Sequence, residues 1–148
     1  IAFNGNAHCG HPRRDLGITW PAPNASGVAV GEEATDGHWF AGALLSRRTC
    51  GGDCSHETFR LERDFKPESW EKPKEDGTFF ACCKTAYKPY DLAVTACLII
   101  AKHHLGDLIR VSSDGDTPDW ADARQVCETV LGYGSAVVLD FEKAAAED

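Results

Sequence analysis

Hydrophobic residues follow two patterns along the chain, with a change near residue 88. Before it they form short runs or alternate with charged residues, as Phe59, Leu61 and Phe65 do. Alternation of this kind is typical of half-exposed antiparallel strands. Short runs predict six strands in the whole chain, at 27–30, 38–46, 58–65, 78–84, 108–112 and 136–141.

Two helices are predicted in the second part, at about 89–105 and 118–131. Pro89 suits the first position of a helix, Asp91 adds a favourable negative charge in the first turn, and Gly106 ends the helix. The second helix carries an apolar stripe at helical spacing, formed by Trp120, Ala123, Cys127 and Val130.

Strands grouped ahead of a helical section favour an α+β fold, with a mainly antiparallel sheet of about five or six strands covered by the two helices. We expect one domain over residues 1–143, because a chain of 148 residues is long enough to bury a hydrophobic core. Residues 1–26 are rich in Gly, Pro, Asn and Arg and predict an irregular N-terminal segment, and residues 144–148 predict a frayed tail.

The composition, with 43% hydrophobic and 26% charged residues, is that of a globular protein. Its longest apolar run, 92–101, is interrupted by Thr95 and is too short to span a bilayer, so no membrane is expected as a partner. Neither a basic start nor an apolar signal stretch is visible. The seven cysteines cannot all pair within one chain, which favours a reducing, cytoplasmic location.

The net charge of −8 argues against a nucleic-acid partner that covers the whole surface. Residues 1–74 nevertheless carry ten acids and nine bases, against thirteen and six in residues 75–148. The first part could therefore form a local basic patch from two arginine pairs that lie beside Cys and His residues, Arg13, Arg14, Arg47 and Arg48.

Ten of the thirteen Cys and His residues fall into four short clusters. Two of these clusters predict a structural zinc site, because zinc needs four N or S ligands that are usually supplied as two close pairs. The predicted ligands are Cys9, His11, Cys50 and Cys54, with His8 and His56 as spare ligands. Unmodified thiols, or a disulfide from Cys50 to Cys54 or to Cys9, are the alternatives.

The Cys82–Cys83 pair is a candidate for nucleophilic catalysis. On a strand the two side chains would point to opposite faces, with Cys82 following Phe80 into the core and Cys83 outward near Lys84. A neighbouring positive charge would lower the pKa of that thiol. His104, in the His103–His104 pair at the end of the first helix, is the candidate base, although two histidines that pack or cap the helix explain the same pattern.

A second group of residues is a candidate for ligand binding, on the two loops that flank the first helix. Such loops often carry binding residues, here Lys84, Lys88, Tyr90, Asp114 and Asp116. Asp114 and Asp116 lack the complete calcium-loop pattern, and turn formation explains them equally well.

These observations favour a non-catalytic binding or interaction module with a structural zinc or thiol cluster, which could also associate with itself. The alternatives are a small thiol-dependent enzyme that uses Cys82 or Cys83 with His104, and a nucleic-acid accessory protein with arginine pairs beside a zinc knot.

Overall fold

A computed structural model describes residues 1–9, 15–20, 29–31, 43–50 and 52–145, with the backbone alone for 15–20, 29–31, 43–47 and 143–145. Within these ranges there are five strands, β1 (Ala2–Phe3), β2 (Asp15–Trp20), β3 (Ala29–Gly31), β4 (Ala43–Thr49) and β5 (Phe59–Arg60). The same ranges contain three α-helices, α1 (Asp91–Leu105), α2 (Ala121–Leu131) and α3 (Asp140–Ala145), and short 3-10 turns at Gly106–Leu108 and Thr117–Trp120.

The strands form two small antiparallel sheets. β1 pairs with β5, placing Phe3 opposite Phe59, and the other sheet has the order β3-β2-β4. Pairing of β2 with β4 shifts register between Gly17 and Ile18. Within the described ranges there is no sheet of five or six strands, so the predicted sheet-dominated α+β fold is wrong. β1 and β2 also fall within residues 1–26, where the sequence predicts an irregular chain.

Three of the predicted strands are not strands in the structure. Residues 78–84 have no regular secondary structure, residues 108–112 begin within a 3-10 turn and continue as irregular chain, and residues 136–141 lead into the first residues of α3. The fourth, 58–65, keeps strand pairing only at β5. The predicted strands at 27–30 and 38–46 lie partly outside the described residues.

Side chains replace strand partners in these segments. A backbone N–H in a folded protein is normally hydrogen-bonded, and a carboxylate can accept from it as well as a neighbouring strand can. Glu57 accepts from the Lys84 N–H at 2.7 Å, and Asp140 accepts from the Val111 N–H at 2.7 Å. A hydrophobic pattern does not distinguish these arrangements from a sheet.

Both predicted helices are present. α1 ends at Gly106, whose N–H donates to the Lys102 carbonyl, and α2 ends at Gly132, whose φ is +74°. The two helices pack together over the main core, which contains Leu92, Ile99, Val111, Trp120, Ala123, Cys127 and Leu139. Of the predicted α2 stripe only Val130 is exposed, at 52%.

Partly buried ion pairs connect the helices. The Lys102 ammonium lies 3.0 Å from Asp140, and Arg124 lies 2.7 Å from Glu142, so α1 and α2 are each tied to α3. Among the described residues no helix has the length and apolar character needed to cross a bilayer.

Candidate metal centre

Three cysteine sulfurs converge beside the end of β4. The Sγ atom of Cys50 lies 3.2 Å from that of Cys9 and 3.3 Å from that of Cys54, and all three lie within 4.8 Å of one another. Cys50 is fully buried, Cys54 is 5% exposed and Cys9 is half-buried. This cysteine triad could hold a metal ion.

The N-terminal segment is fastened to the Cys50–Cys54 loop by backbone and amide contacts. Cys54 donates its N–H to the Asn6 carbonyl at 3.1 Å, and the Asn4 side chain bonds both the N–H and the carbonyl of His56. Gly5 is required here, because an added Cβ would lie only 1.8 Å from the Cys54 carbonyl oxygen. Cys9 is thereby brought back to the loop.

A second segment, 84–90, supports the loop from the side of α1. Tyr87 accepts from the Thr49 N–H at 2.8 Å, and the Lys88 ammonium donates to the carbonyls of Cys50 at 2.7 Å and Asp53 at 2.5 Å. The Tyr90 hydroxyl donates to the Glu57 carbonyl at 2.7 Å. Lys88 and Tyr90, predicted as ligand-binding residues, thus make contacts within the protein itself.

Burial raises the pKa of the Cys54 thiol, and the neighbouring thiols of Cys50 and Cys9 raise it further. The charged form is disfavoured because desolvation and adjacent thiolates both oppose it. A divalent cation among the three sulfurs reverses this balance, since thiolates are the form that binds metal.

The spacing of the sulfurs is near that of a tetrahedral thiolate site. Zinc–sulfur bonds of about 2.3 Å imply about 3.8 Å between sulfurs at tetrahedral angles. The measured 3.2 and 3.3 Å separations therefore need an opening of about half an ångström. A disulfide needs about 2.05 Å, so the same sulfurs would have to approach by about 1 Å.

The predicted histidine ligands are placed differently from one another. His8 is exposed and adjoins Cys9 in sequence. The pKa of the Asp53 carboxyl is lowered by its hydrogen bonds from Ser55, with smaller contributions from Lys88 and His8. Neither His8 nor His56 belongs to the group of ligand atoms that lie within 4.8 Å of one another, which contains the three cysteines. His56 contacts the Lys84 carbonyl through Nδ1 at 2.7 Å. His11 lies outside the described residues.

Cys83 and His104 are not brought together. Cys83 packs against a small core of Phe59, Tyr90 and Val94 at the start of α1, whereas His104 lies near its end. Ten residues of helix separate Val94 from His104, a rise of about 15 Å. Burial and the Glu57 charge also raise the pKa of Cys83, which opposes a nucleophilic role.

The predicted orientation of the Cys82–Cys83 pair is reversed. Cys82 is exposed and Phe80 is 63% exposed, while Cys83 turns inward and approaches the Glu57 carbonyl at 3.5 Å. The prediction assumed a strand, and the segment is not one. The Lys84 backbone contacts Glu57, and the Lys84 side chain is exposed.

The two histidines at the end of α1 belong to an aromatic cluster with Tyr133. The rings of His103 and Tyr133 stack with centroids 3.8 Å apart, and His104 Nε2 lies 3.1 Å from the Tyr133 hydroxyl. The cluster borders an open cavity of about 350 Å³. The sequence gives no signal for Tyr133, which follows the end of α2.

Two further groups take structural roles. Asp114 and Asp116 are exposed, and the Asp116 N–H donates to Asp119 at 3.0 Å in the turn before α2. Arg48 is only 2% exposed and lies 3.4 Å from both Asp91 and Asp122. Arg48 therefore does not contribute to a surface patch, and Arg13, Arg14 and the Arg47 side chain lie outside what the structure describes.

Among the residues that the structure describes, the geometry of the triad is the feature from which a function is argued. Compared with known proteins, the chain matches no family model, no curated protein and no solved structure.

Sequence reasoning missed Asn4, Gly5 and Asn6 as supports of the triad, and it assigned Lys88 to ligand binding instead. Gly5, Asn4 and Asn6 act through backbone approach and amide contacts, for which a short Asn-Gly-Asn motif is the sole sequence signal. Lys88 acts through two carbonyls of a loop more than thirty residues away, and no pattern along the chain indicates that pairing.

Proposed function

We propose that Cys9, Cys50 and Cys54 bind one zinc ion, and that the protein is a non-catalytic binding or interaction module built around this structural site. The observation that carries the proposal is the convergence of three sulfurs from two distant parts of the chain. Thiolate ligands favour zinc, copper(I) and iron–sulfur centres, and a tetrahedral set with three thiolates is typical of structural zinc.

His8 completes the ligand set in this proposal. Cys₃His is a common structural zinc set. His8 is exposed and adjoins the ligand Cys9 in sequence, and its ring would have to move towards the three sulfurs, since it is not in the group within 4.8 Å. His56 is the alternative ligand, because the contact of its Nδ1 with the Lys84 carbonyl leaves Nε2 available for a metal.

A structural role is supported by the burial of the triad. Cys50 and Cys54 are enclosed by the N-terminal segment and by residues 84–90, whereas a catalytic metal keeps one position open to substrate. Binding of the ion ties residues 4–9 to the loop that follows β4, so its binding energy becomes folding energy for this side of the molecule.

A thiol enzyme has less support. It requires a base within hydrogen-bonding reach of the nucleophile, and Cys83 and His104 lie at opposite ends of α1. The binding-module proposal needs no such pair.

Titration of the reduced protein with zinc tests the proposal. We expect one zinc ion per chain, and we expect its affinity to fall sharply in Cys9→Ser, Cys50→Ser and Cys54→Ser. Cys82→Ser is the matched control, since Cys82 is exposed and outside the triad. Equal zinc binding by Cys54→Ser and the unaltered protein would overturn the proposal.

A further inference from the structure

Residues 85–88 form a tight turn with an unusual backbone. Lys88 donates its N–H to the Thr85 carbonyl at 3.0 Å, and the two central residues, Ala86 and Tyr87, have φ values of +51° and +55°. Two successive positive φ angles define a type I′ turn, which normally uses Asn and Gly. The chain uses two residues that disfavour this conformation.

A strained turn persists only where its surroundings fix it. Here three contacts do so. The Tyr87 carbonyl accepts from the Thr49 N–H at 2.8 Å, the Tyr87 ring lies 5.4 Å from the Arg48 guanidinium carbon, and Thr85 contacts Asp91 at the start of α1 through its hydroxyl. The turn is therefore held between the end of β4 and the beginning of α1.

The turn places the Lys88 ammonium on the Cys50–Cys54 loop. Its Nζ atom donates to the carbonyls of Cys50 and Asp53, which lie at the first and fourth positions of the loop. The side chain thus bridges two carbonyls of the loop, beside a backbone bond in which the Asp53 N–H donates to the same Cys50 carbonyl at 3.2 Å.

The charge of Lys88 also supports a role for this residue at the metal site. Three thiolates around a divalent cation carry a net charge of −1, and a neutral imidazole as fourth ligand leaves it unchanged. The Lys88 ammonium is bonded to the carbonyl of the ligand Cys50 and to that of Asp53, the residue before the ligand Cys54. Its positive charge offsets the net charge of −1 on the metal site. The setting is partly buried, so this electrostatic interaction is stronger than it would be in water. Residues that orient and balance metal ligands in this way commonly tune metal affinity.

We infer that Lys88 is a positioning residue for the cysteine triad, held in place by the strained Ala86–Tyr87 turn so that the metal loop is formed before the ion binds. This inference rests on the proposed function, since it names the residue that sets the affinity of the same site.

Zinc affinity of Lys88 variants, measured by competition with a chromophoric chelator, tests the inference. We expect Lys88→Met to bind zinc about 10- to 100-fold more weakly, because loss of an outer contact at a metal site has that effect. Lys88→Gln keeps donors without the charge and should be intermediate. Lys88→Arg keeps both the hydrogen-bond donors and the positive charge, and it should recover most of the zinc affinity. A side chain that only filled space would not require this recovery.

Lys72→Met is the control for loss of one positive charge, because Lys72 is exposed in another loop. The stability of each metal-free variant is measured separately. If Lys88→Met does not fold, the zinc affinity of Lys88→Gln is compared with that of Lys88→Arg to test the inference. Zinc binding by the unaltered protein with equal affinity in all Lys88 variants overturns the inference alone. Absence of zinc binding by the unaltered protein overturns the proposed function and the inference with it.

Discussion

The sulfur of Cys9 lies 3.2 Å from the sulfur of Cys50, although the two residues are 41 positions apart in the chain. The contact depends on the Gly5 and Asn6 backbone, which lies against Cys54. Two sulfurs at this distance can share a metal ion or, after a small approach, form a disulfide. Their chemistry therefore depends on whether a metal or an oxidant reaches them first.

Oxidation of the metal-free protein should join Cys50 to Cys9 or to Cys54, whose sulfurs lie 3.2 and 3.3 Å from its own. Hydrogen peroxide accepts two electrons from the two thiols and becomes water, and the chain loses two hydrogen atoms as the S–S bond forms. Peptide mapping should find a cross-link within the triad in the unaltered protein, and the Cys9–Cys50 cross-link in Cys54→Ser. Bound zinc should slow the reaction, because the metal occupies the thiolates. A cross-link confined to Cys82 and Cys83 would contradict the expected geometry.

Removal of the His8 imidazole should weaken zinc binding more than removal of the His56 imidazole. His8 adjoins the ligand Cys9, whereas the His56 ring is held through Nδ1 at the Lys84 carbonyl and is less able to move to the ion. Zinc titration of His8→Ala and His56→Ala measures the difference directly. A greater loss of affinity in His56→Ala would assign the fourth position to His56.

Ala86→Gly should stabilise the metal-free protein by about 0.5–1 kcal/mol. Glycine removes the penalty of about 1–2 kcal/mol for a positive φ and adds back a smaller loss of unfolded-state entropy. Ala93→Gly, in an exposed position of α1, is the matched control and should destabilise by about 0.5–1 kcal/mol. Urea unfolding of both variants gives the comparison, and destabilisation by Ala86→Gly would show that the turn is not strained.

The helical core should be sensitive at Leu139. This side chain is fully buried against α1 and α2, so Leu139→Ala should lower the free energy of unfolding by about 2–5 kcal/mol. Leu108 is 88% exposed, and Leu108→Ala should change stability by no more than about 0.5 kcal/mol. Similar losses for both variants would contradict the assignment of the core.

Stability of the metal-free protein should fall as the pH rises above about 8.5, the pKa of an unfolded thiol. Burial raises the pKa of Cys97 and Cys127 in the folded protein. Above pH 8.5 the unfolded chain therefore binds fewer protons than the folded one, and unfolding is favoured. The stabilisation that these two thiols provide is complete below that pH. It is lost as the pH rises towards the pKa of each thiol in the folded protein. Urea unfolding at pH 7 and pH 10 measures the loss, which Cys97→Ala should reduce and Cys82→Ala should not.

The helices could be predicted from the sequence because their signals are local. Pro89, Asp91 and Gly106 bracket α1 within a few residues of its observed ends, and Gly132 adopts the positive φ that closes α2. The sheet could not, because a strand needs a partner whose identity a local pattern does not contain. At Lys84 and Val111 that partner is a carboxylate.

The candidate site was predictable in part for the same reason. Grouping of Cys50 with Cys54 is visible in the sequence, and the structure places Cys9 beside them. The support from Lys88 depends on the strained turn at Ala86 and Tyr87. Neither residue type signals a positive φ, so the turn could only be found in three dimensions.

Metal content of the protein, purified under reducing conditions without added metal and examined by native mass spectrometry, tests the central claim most directly. We predict a mass that exceeds the chain by one zinc ion, with the ion lost in Cys54→Ser and retained in Cys82→Ser. A metal-free mass that stays unchanged after incubation with equimolar zinc, in a folded and fully reduced chain, would contradict a zinc site at Cys9, Cys50 and Cys54.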